Sequence, residues 1–556
     1  MDYRDIWRGR ERCTILDAAH DEQRLRVLID VWRTDPLRAP HLHVIALCDH
    51  LMPGFHRVLQ PDHGLTLDLV NAPLDAALAQ LSARVDLFRL RGLEHGGDGF
   101  ARAVARLAAS DARLMGQGLT QAQTAALEGQ GFVFDAAAGG QARCARFAGR
   151  KPRPPLPPAP ERRAIVLGAG LAGSAACASL CARGWDVTLV ERHPAPAMEA
   201  SGNLAGIFMP LLSRDDNIPT RLTRAAYLYA LRAWEQLGGI GRAIEGDACG
   251  VLQLARDADH AAVSRAIAAQ GAPPPEFARW LEPPEAERLL GLSAPDGGWL
   301  FPHGGWARPG SVCAAMLDAC GGRLTRRFGV GSVRLERVDG EWQARGEDGK
   351  VVAQAPTVVL ASGVGARSLA QSSALPLSAL RGQVTHLDSA TLPALPLVLC
   401  REAYLTPAAG GIACAGATYD LDGDPLLRAA SQQENIERLR NLVSDPDAAR
   451  DAPLAGRVGF RCVAPDRLPL VGRLPDFAAA GVTERLRDVP RHPGLYALLG
   501  YASRGLIWAP LGAELLAAQL EGEPLPLEMA LVDALDPARF VLRARRSSRA
   551  PASDLL

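Results

Sequence analysis

The apolar run Ala164–Leu167 reads as a short buried strand. Helical spacing follows through Ala175, Ala176, Leu180 and Cys181, Gly184 ends it, and Val187–Val190 forms a second apolar strand that closes on Glu191. Upstream, Cys13–Leu16, His43–Leu47 and Val85–Leu90 read as strands, Gln23–Trp32 as an amphipathic helix, and the segment ARAVARLAAS (101–110) as a further helix. Alternation of this kind predicts parallel sheets with crossover helices, an α/β chain. Downstream, residues 222–237 read as an amphipathic helix and residues 250–300 as acidic, proline-broken segments of an inserted lobe. Thr357–Ala361 is a strand leading into Ser362-Gly363-Val364-Gly365, Arg381-Gly382-Gln383-Val384 begins another, and Tyr404-Leu405-Thr406-Pro407 ends one. The stretch RKPRPPLPPAP (150–160) excludes helix and predicts a stiff, extended spacer.

Between the two strands around residue 170, Gly168, Gly170 and Gly173 fall in the spacing G-x-G-x-x-G. The first glycine permits a tight turn, the second lets the backbone approach a pyrophosphate, and the third lets the helix lie close to the strand, so that its free N–H groups face the anion. Glu191, about 20 residues further on, is placed to accept hydrogen bonds from a ribose diol. The unit points to a dinucleotide without a 2′-phosphate and does not by itself separate FAD from NAD. Ser201-Gly202-Asn203 forms a polar turn that allows close backbone approach, although an ordinary Gly/Asn turn has the same composition. The stretches GFRCVAPDRLPLVGRLPD (459–476) and LYALLGYASRGLIWAPLGAELLAAQL (495–520) place a glycine-rich turn directly before a long helix, which presents another helix N-terminus.

A chain of 556 residues exceeds one core, and 48% hydrophobic residues with zero net charge mark a globular protein with no global field toward nucleic acid. Lysine occurs only at Lys151 and Lys350, and nearly all positive charge is arginine. Eleven cysteines without a C-x-x-C pair suggest no zinc ribbon, dithiol motif or secreted disulfide framework. The charged start MDYRDIWRGRER and the lack of a long apolar run predict a cytoplasmic protein without a membrane span.

The ordered motifs G-x-G-x-x-G, Glu191, S-G-N-x-A-G (201–206), R-G-Q (381–383), Y-L-T-P (404–407), R-C-x-x-x-D-x-L-P-x-V-G (461–472) and S-R-G-L (503–506) resemble the glycine-oxidase/D-amino-acid-oxidase superfamily of flavoproteins. More closely, residues 163–540 resemble the oxidoreductase half of the bifunctional bacterial enzymes that make 5-methylaminomethyl-2-thiouridine in tRNA. Residues 1–150 resemble the methyltransferase half of that family in shortened form, through ERCTILDAA and HLHVIALCD. The resemblance implies five segments: a methyltransferase-like domain over 1–150, a linker over 151–162, an FAD-binding Rossmann-like domain over 163–540, a substrate lobe inserted at about 210–300 and 370–455, and a basic tail over 541–556.

It also implies a chemistry. Family members use FAD to oxidise the carboxymethylaminomethyl group of the wobble uridine to an imine, which hydrolyses to the aminomethyl uridine and glyoxylate. Arg461 stands where the superfamily holds the substrate carboxylate, and a bidentate guanidinium suits that task. Tyr404 is a candidate partner of the same carboxylate or of the amine. The resemblance extends cofactor binding to Gly168, Gly170, Gly173, Glu191, Arg192, Ser201, Gly202, Asn203, Ser362, Gly363, Arg504, Gly505 and Leu506, with no metal. For tRNA, Arg539, Arg543, Arg545, Arg546 and Arg549 offer a basic C-terminal tail.

The N-terminal half departs from the family pattern. Asp17-Ala18-Ala19-His20-Asp21 replaces the glycine-rich loop, Cys48 stands at the position of the ribose acid with Asp49 beside it, and Leu90-Arg91-Gly92-Leu93 replaces L-D-G-F. These positions predict a domain that no longer binds S-adenosylmethionine, the family's methyl donor. Two other readings stay open on the residues alone: an oxidase of small N-alkyl glycines or amino acids that never touches RNA, and a non-catalytic flavin- or tRNA-binding scaffold.

Overall fold

The computed structural model describes residues 3–18, 21–60, 64–91, 98–135, 142–149, 159, 161–270, 273–440, 442, 452–481 and 483–543. The chain divides into two units, one formed by Met1–Ala159 with Ala517–Val532 and the other by Pro160–Leu516 with Asp533–Leu556. Residues 517–532, which the sequence places in the oxidoreductase domain, thus belong with the first unit. The proline-rich segment 151–158, together with Pro160, lies outside the described residues.

The first unit is an eight-stranded sheet with a core of five parallel strands in the order Leu65–Asn71, His41–Leu47, Arg12–Ala18, Val85–Arg91 and Ala108–Gln117. Gly54–Gln60 flanks one edge antiparallel, and Ala142–Phe147 followed by Phe132–Phe134 flank the other. The helix Asp98–Leu107 starts and ends three residues earlier than the sequence suggests, because Ala108, which is buried, leaves it to pair with Val85. The strands Gly54–Gln60 and Leu65–Asn71 do not read as strands in the sequence, since polar residues occupy their buried positions. Arg57 donates from Nε and Nη2 to the two carboxylate oxygens of Asp68, both at 2.8 Å, and His43 Nε2 lies 2.6 Å from Asp68 Oδ2. The residues 517–532 complete this unit: Arg57 Nη2 donates to the Pro524 carbonyl at 2.6 Å, the Leu525 N–H donates to the Ser82 carbonyl at 3.0 Å, and Arg12 pairs with Glu521 and Glu523.

The second unit is built on a six-stranded sheet in the order Leu324–Arg327, Asp186–Val190, Arg163–Leu167, Thr357–Leu360, Arg491–Leu499 and Leu470–Pro475. The first five strands are parallel and the last is antiparallel. A second, mixed sheet of eight strands runs from Arg279–Leu281 to Ser378–Asp388 and Gly456–Val463, with the helix Ala429–Leu439 among the elements packed on it. This lobe extends past residue 455, because its edge strand Gly456–Val463 pairs along Ser378–Thr385.

The basic tail begins later than the sequence suggests. Arg539 is buried, donating from Nε and Nη2 to Asp466 at 2.8 and 3.1 Å, and Arg543 reaches the same carboxylate at 2.6 Å. Arg539 is therefore committed to a buried ion pair, and Arg543, half-exposed, shares its carboxylate. Arg545, Arg546 and Arg549 lie outside the described residues.

Candidate functional site

Gly168 ends its strand at φ +105°, and a Cβ there would stand 2.8 Å from both the Ala361 carbonyl oxygen and the Ser362 Cα of the neighbouring strand end. Gly170 is the N-cap of the helix Leu171–Cys181 and supplies no capping side chain, so the helix N-terminus is left open. The Leu171 N–H donates to Ser201 Oγ at 3.1 Å, and a Cβ on Gly170 would lie 3.0 Å from that hydroxyl. A Cβ on Gly173 would fall on the Gly168 carbonyl, 2.9 Å from its carbon, which explains how closely helix and strand approach. Glu191 is buried: Oε2 accepts the Ala169 N–H at 2.7 Å and Oε1 accepts the His193 N–H at 2.9 Å. The acid at the strand end therefore also holds the glycine loop in shape.

These elements border one cavity of about 550 Å³. Gly168, Gly170, Glu191, Arg192, Ser201 and Asn203 line one part of it, and Ser362 and Gly363 line the wall beside them. Arg504, Gly505 and Leu506, at the start of the helix Gly505–Glu521, face the same space, as do Tyr404 and Arg461. Gly173 and Gly202 stand behind the wall, where a Cβ on Gly202 would clash with the Ala197 carbonyl at 2.6 Å. Arg192 is turned toward Glu199 and His193.

The arrangement fits an anionic dinucleotide. A helix N-terminus without a capping side chain of its own and a glycine backbone face the cavity, and the buried Ser362 Oγ has no hydrogen-bond partner among the described residues. A ligand that supplies that partner satisfies an otherwise costly group.

At the other end of the cavity the charge is positive. Arg461 projects from the edge strand Gly456–Val463, donates from Nη1 to the Thr418 carbonyl at 3.2 Å, and stacks over the Tyr419 ring at 4.5 Å. Among the described residues Arg504 makes no side-chain hydrogen bond or ion pair, and desolvation lowers its pKa. Neither guanidinium has a carboxylate partner among the described residues. Tyr404 stands on the short strand Tyr404–Leu405, and burial pushes its phenol pKa up, so the hydroxyl is a protonated donor at neutral pH. Burial likewise pushes the cavity thiols up, Cys400 to about 12 and Cys462 to about 11, which leaves no thiolate for nucleophilic chemistry. Tyr419, Gln253 and Glu402 also line the cavity. They carry no signal in the sequence, because each stands outside any glycine motif or periodic run.

Among the described residues, no group of three or more metal-ligating side chains converges, and no helix is long and apolar enough to cross a membrane.

Residues 163–519 match the model of the FAD dependent oxidoreductase family. The chain is 41% identical to the tRNA 5-methylaminomethyl-2-thiouridine biosynthesis bifunctional protein MnmC of Azoarcus sp. (strain BH72), over 98% of this chain and 92% of that protein. It is 40% identical to the protein of the same name from Paraburkholderia phytofirmans, with the same coverage. Among solved structures, glycine oxidase from Geobacillus kaustophilus aligns with a TM-score of 0.56 at 21% identity, over 68% of this chain and 99% of that one. Iminodiacetate oxidase from Chelativorans sp. BNC1 aligns with a TM-score of 0.54 at 25% identity, over 67% and 99%. A glycine-loop sheet with a cationic cavity beside it and this extent of identity lead to one assignment: the chain belongs to the MnmC family of tRNA 5-methylaminomethyl-2-thiouridine biosynthesis bifunctional proteins, and its residues 163–519 to the FAD dependent oxidoreductases.

Proposed function

We propose that the chain uses FAD to remove the carboxymethyl group from 5-carboxymethylaminomethyl-(2-thio)uridine at the wobble position of tRNA, releasing the aminomethyl uridine and glyoxylate. The observation that carries this reading is the presence in one cavity of two arginines, Arg461 and Arg504, neither of which pairs with a carboxylate among the described residues. Burying a guanidinium without a counter-ion is costly, and a substrate carboxylate offsets that cost. Iminodiacetate, named in one structural relative, carries the same N-carboxymethyl group.

In this reading Gly168, Gly170, Gly173, Gly202, Ser201, Asn203 and Ser362 shape and satisfy the pyrophosphate end of the cofactor site. Glu191 meets the ribose, with Arg192, Gly363, Gly505 and Leu506 at its margins. The bound flavin supplies the two-electron acceptor. Arg461 grips the substrate carboxylate in a fork that fixes both position and rotation of the α-carbon. Tyr404 donates a hydrogen bond to that carboxylate from a phenol that burial keeps protonated. Arg461 and Arg504 together disfavour a protonated amine nearby, so the nitrogen lone pair is free as the α C–H bond breaks. The amine loses two electrons and two protons in total, and the resulting imine takes up water to give glyoxylate and the primary amine. Anaerobic mixing with tRNA bearing the carboxymethylaminomethyl group should bleach the flavin in one turnover and release one glyoxylate. Bleaching by iminodiacetate or sarcosine but never by tRNA would favour a small-molecule oxidase instead.

The first unit supports loss of the methyl transfer. Asp17, at the end of the central strand, is buried and accepts from Arg89 Nη1 at 2.7 Å, so its carboxylate is spent on an internal pair. The following helix Glu22–Thr34 is capped by its own Asp21, which accepts from the Arg24 N–H at 3.0 Å and leaves that N-terminus closed to a ligand. Arg91 adds a positive charge beside Asp21 at 3.5 Å, unfavourable to a sulfonium. Ala19, His20, Gly92 and Leu93 lie outside the described residues.

A further inference from the structure

Tyr419 lines the cavity and is 55% exposed, yet the backbone on both sides of it is hydrogen-bonded to a neighbouring strand. Its neighbours Thr418 and Asp420 both pair with the strand Ser378–Asp388. Thr418 Oγ1 accepts the Gln383 N–H at 3.1 Å, while Asp420 and Arg381 exchange backbone hydrogen bonds at 3.0 and 2.8 Å. The Arg381 side chain, fully buried, then pins the following loop by donating to the Asp420 carboxylate at 2.9 Å and to the carbonyls of Asp424 and Leu426 at 2.8 and 2.7 Å. The same loop carries Leu421 and Leu426 at 84% and 70% exposure. An aromatic ring carried on a pinned backbone, with Arg461 over it and more than half of its surface open, can receive a flat partner.

The chemistry of the proposed substrate says which partner. From the carboxyl carbon to C5 of the uracil ring run four bonds of about 1.5 Å each, so the base sits roughly 5 Å beyond the carboxylate. The Arg461 guanidinium, which grips that carboxylate, lies 4.5 Å from the centre of the Tyr419 ring. A base attached through this arm therefore emerges beside Tyr419, whereas a small N-alkyl glycine ends before it. We propose that Tyr419 is the stacking platform for the uracil ring of the wobble nucleoside, so that this segment selects a base-bearing N-carboxymethyl amine over a free one. The inference rests on the tRNA reading above.

The test is anaerobic flavin reduction in the holoenzyme, comparing an anticodon stem-loop RNA that carries the modified uridine with iminodiacetate. Tyr419→Ala and Tyr419→Leu should raise the half-saturating RNA concentration about ten- to a hundredfold, the factor for losing one base–aromatic stack. Tyr419→Phe and Tyr419→Trp, which keep a π face, should stay within about threefold of the native enzyme on the same scale. The loss on iminodiacetate should be several-fold smaller than the loss on RNA. Equal losses on the two substrates would overturn the proposal and reduce Tyr419 to a support for Arg461, as would native RNA dependence in Tyr419→Ala. Failure of RNA to reduce the native flavin at all sinks the tRNA reading itself, and is seen before any variant is made.

Discussion

The space that a side chain on Gly382 would fill is occupied by the guanidinium of Arg461: a Cβ built on Gly382 stands 2.5 Å from Arg461 Cζ. The two residues lie on adjacent antiparallel strands, Ser378–Asp388 and Gly456–Val463, so the glycine acts as the socket for the arginine. Gly382→Ala should therefore displace the fork without removing it. Misplacement by about 1 Å can cost on the order of a hundredfold in rate, and we expect a loss of that order in kcat/KM with flavin content intact. Stopped-flow flavin reduction with parallel absorbance measurement of bound flavin checks both parts.

Changing the arginine itself gives an ordered series. Arg461→Lys keeps the charge and loses the fork, and Arg461→Ala loses both, so activity should fall in that order while FAD stays bound. A native rate of reduction in Arg461→Ala would place the carboxylate elsewhere in the cavity.

The glycines of the loop should differ in tolerance. At Gly173 an added Cβ meets a backbone carbonyl that cannot move, whereas at Gly170 it meets the Ser201 hydroxyl at 3.0 Å, which a rotamer change can relieve. Gly173→Ala should yield protein with little or no flavin, Gly170→Ala protein with weakened retention, and Gly170→Val a colourless one. The ratio of visible to ultraviolet absorbance after gel filtration reads this directly.

Acid stability of the first unit should depend on one carboxylate. Burial alone would raise the pKa of Asp68, but Arg57 and then His43, through charge and hydrogen bonds, hold it well below the usual carboxylate range. A depressed folded pKa means the stabilisation is complete above the unfolded value near ~3.9 and is lost as pH falls through the lower folded one. Asp68→Asn removes the charge that accepts two hydrogen bonds from the fully buried Arg57 and should cost about 3–5 kcal/mol at pH 7. Urea unfolding at several pH values, with amide exchange in the strands His41–Leu47 and Leu65–Asn71, measures both the loss and its disappearance in acid.

S-adenosylmethionine should give no heat of binding to the whole chain at concentrations that saturate typical methyltransferases, and no methyl should reach aminomethyl uridine. Micromolar affinity by calorimetry on the full-length protein would show that Asp17 and Arg89 part to admit the ligand.

What the sequence made legible followed the physics of each element. The strand–loop–helix–strand unit from Arg163 to Glu191 could be read in full, since glycine spacing and apolar runs are local signals. Arg461 and Tyr404 became visible only through motif resemblance: Arg461 sits on a strand whose partner lies about eighty residues earlier, and Tyr404 on a two-residue strand too short to carry a pattern. Tyr419 was silent: its significance depends on Arg381, thirty-eight positions earlier, and on Arg461, forty-two later. The strands bearing Arg57 and Asp68 escaped notice because a buried ion pair defeats any reading of burial from hydrophobicity. Arg539 misled in the opposite way, its charge suggesting solvent where Asp466 had already claimed it.

The return of residues 517–532 to the first unit bears on how the gene could be divided. Arg57 leans on Pro524, Ser82 on Leu525, and Arg12 on Glu521 and Glu523, so a stop codon in the proline-rich spacer would strip the upstream product of its final segment. The downstream product would keep that segment with nothing of its own unit to fold against. A chain of this build has to be made whole for its first unit to be complete, because the end of that unit is encoded after most of the second.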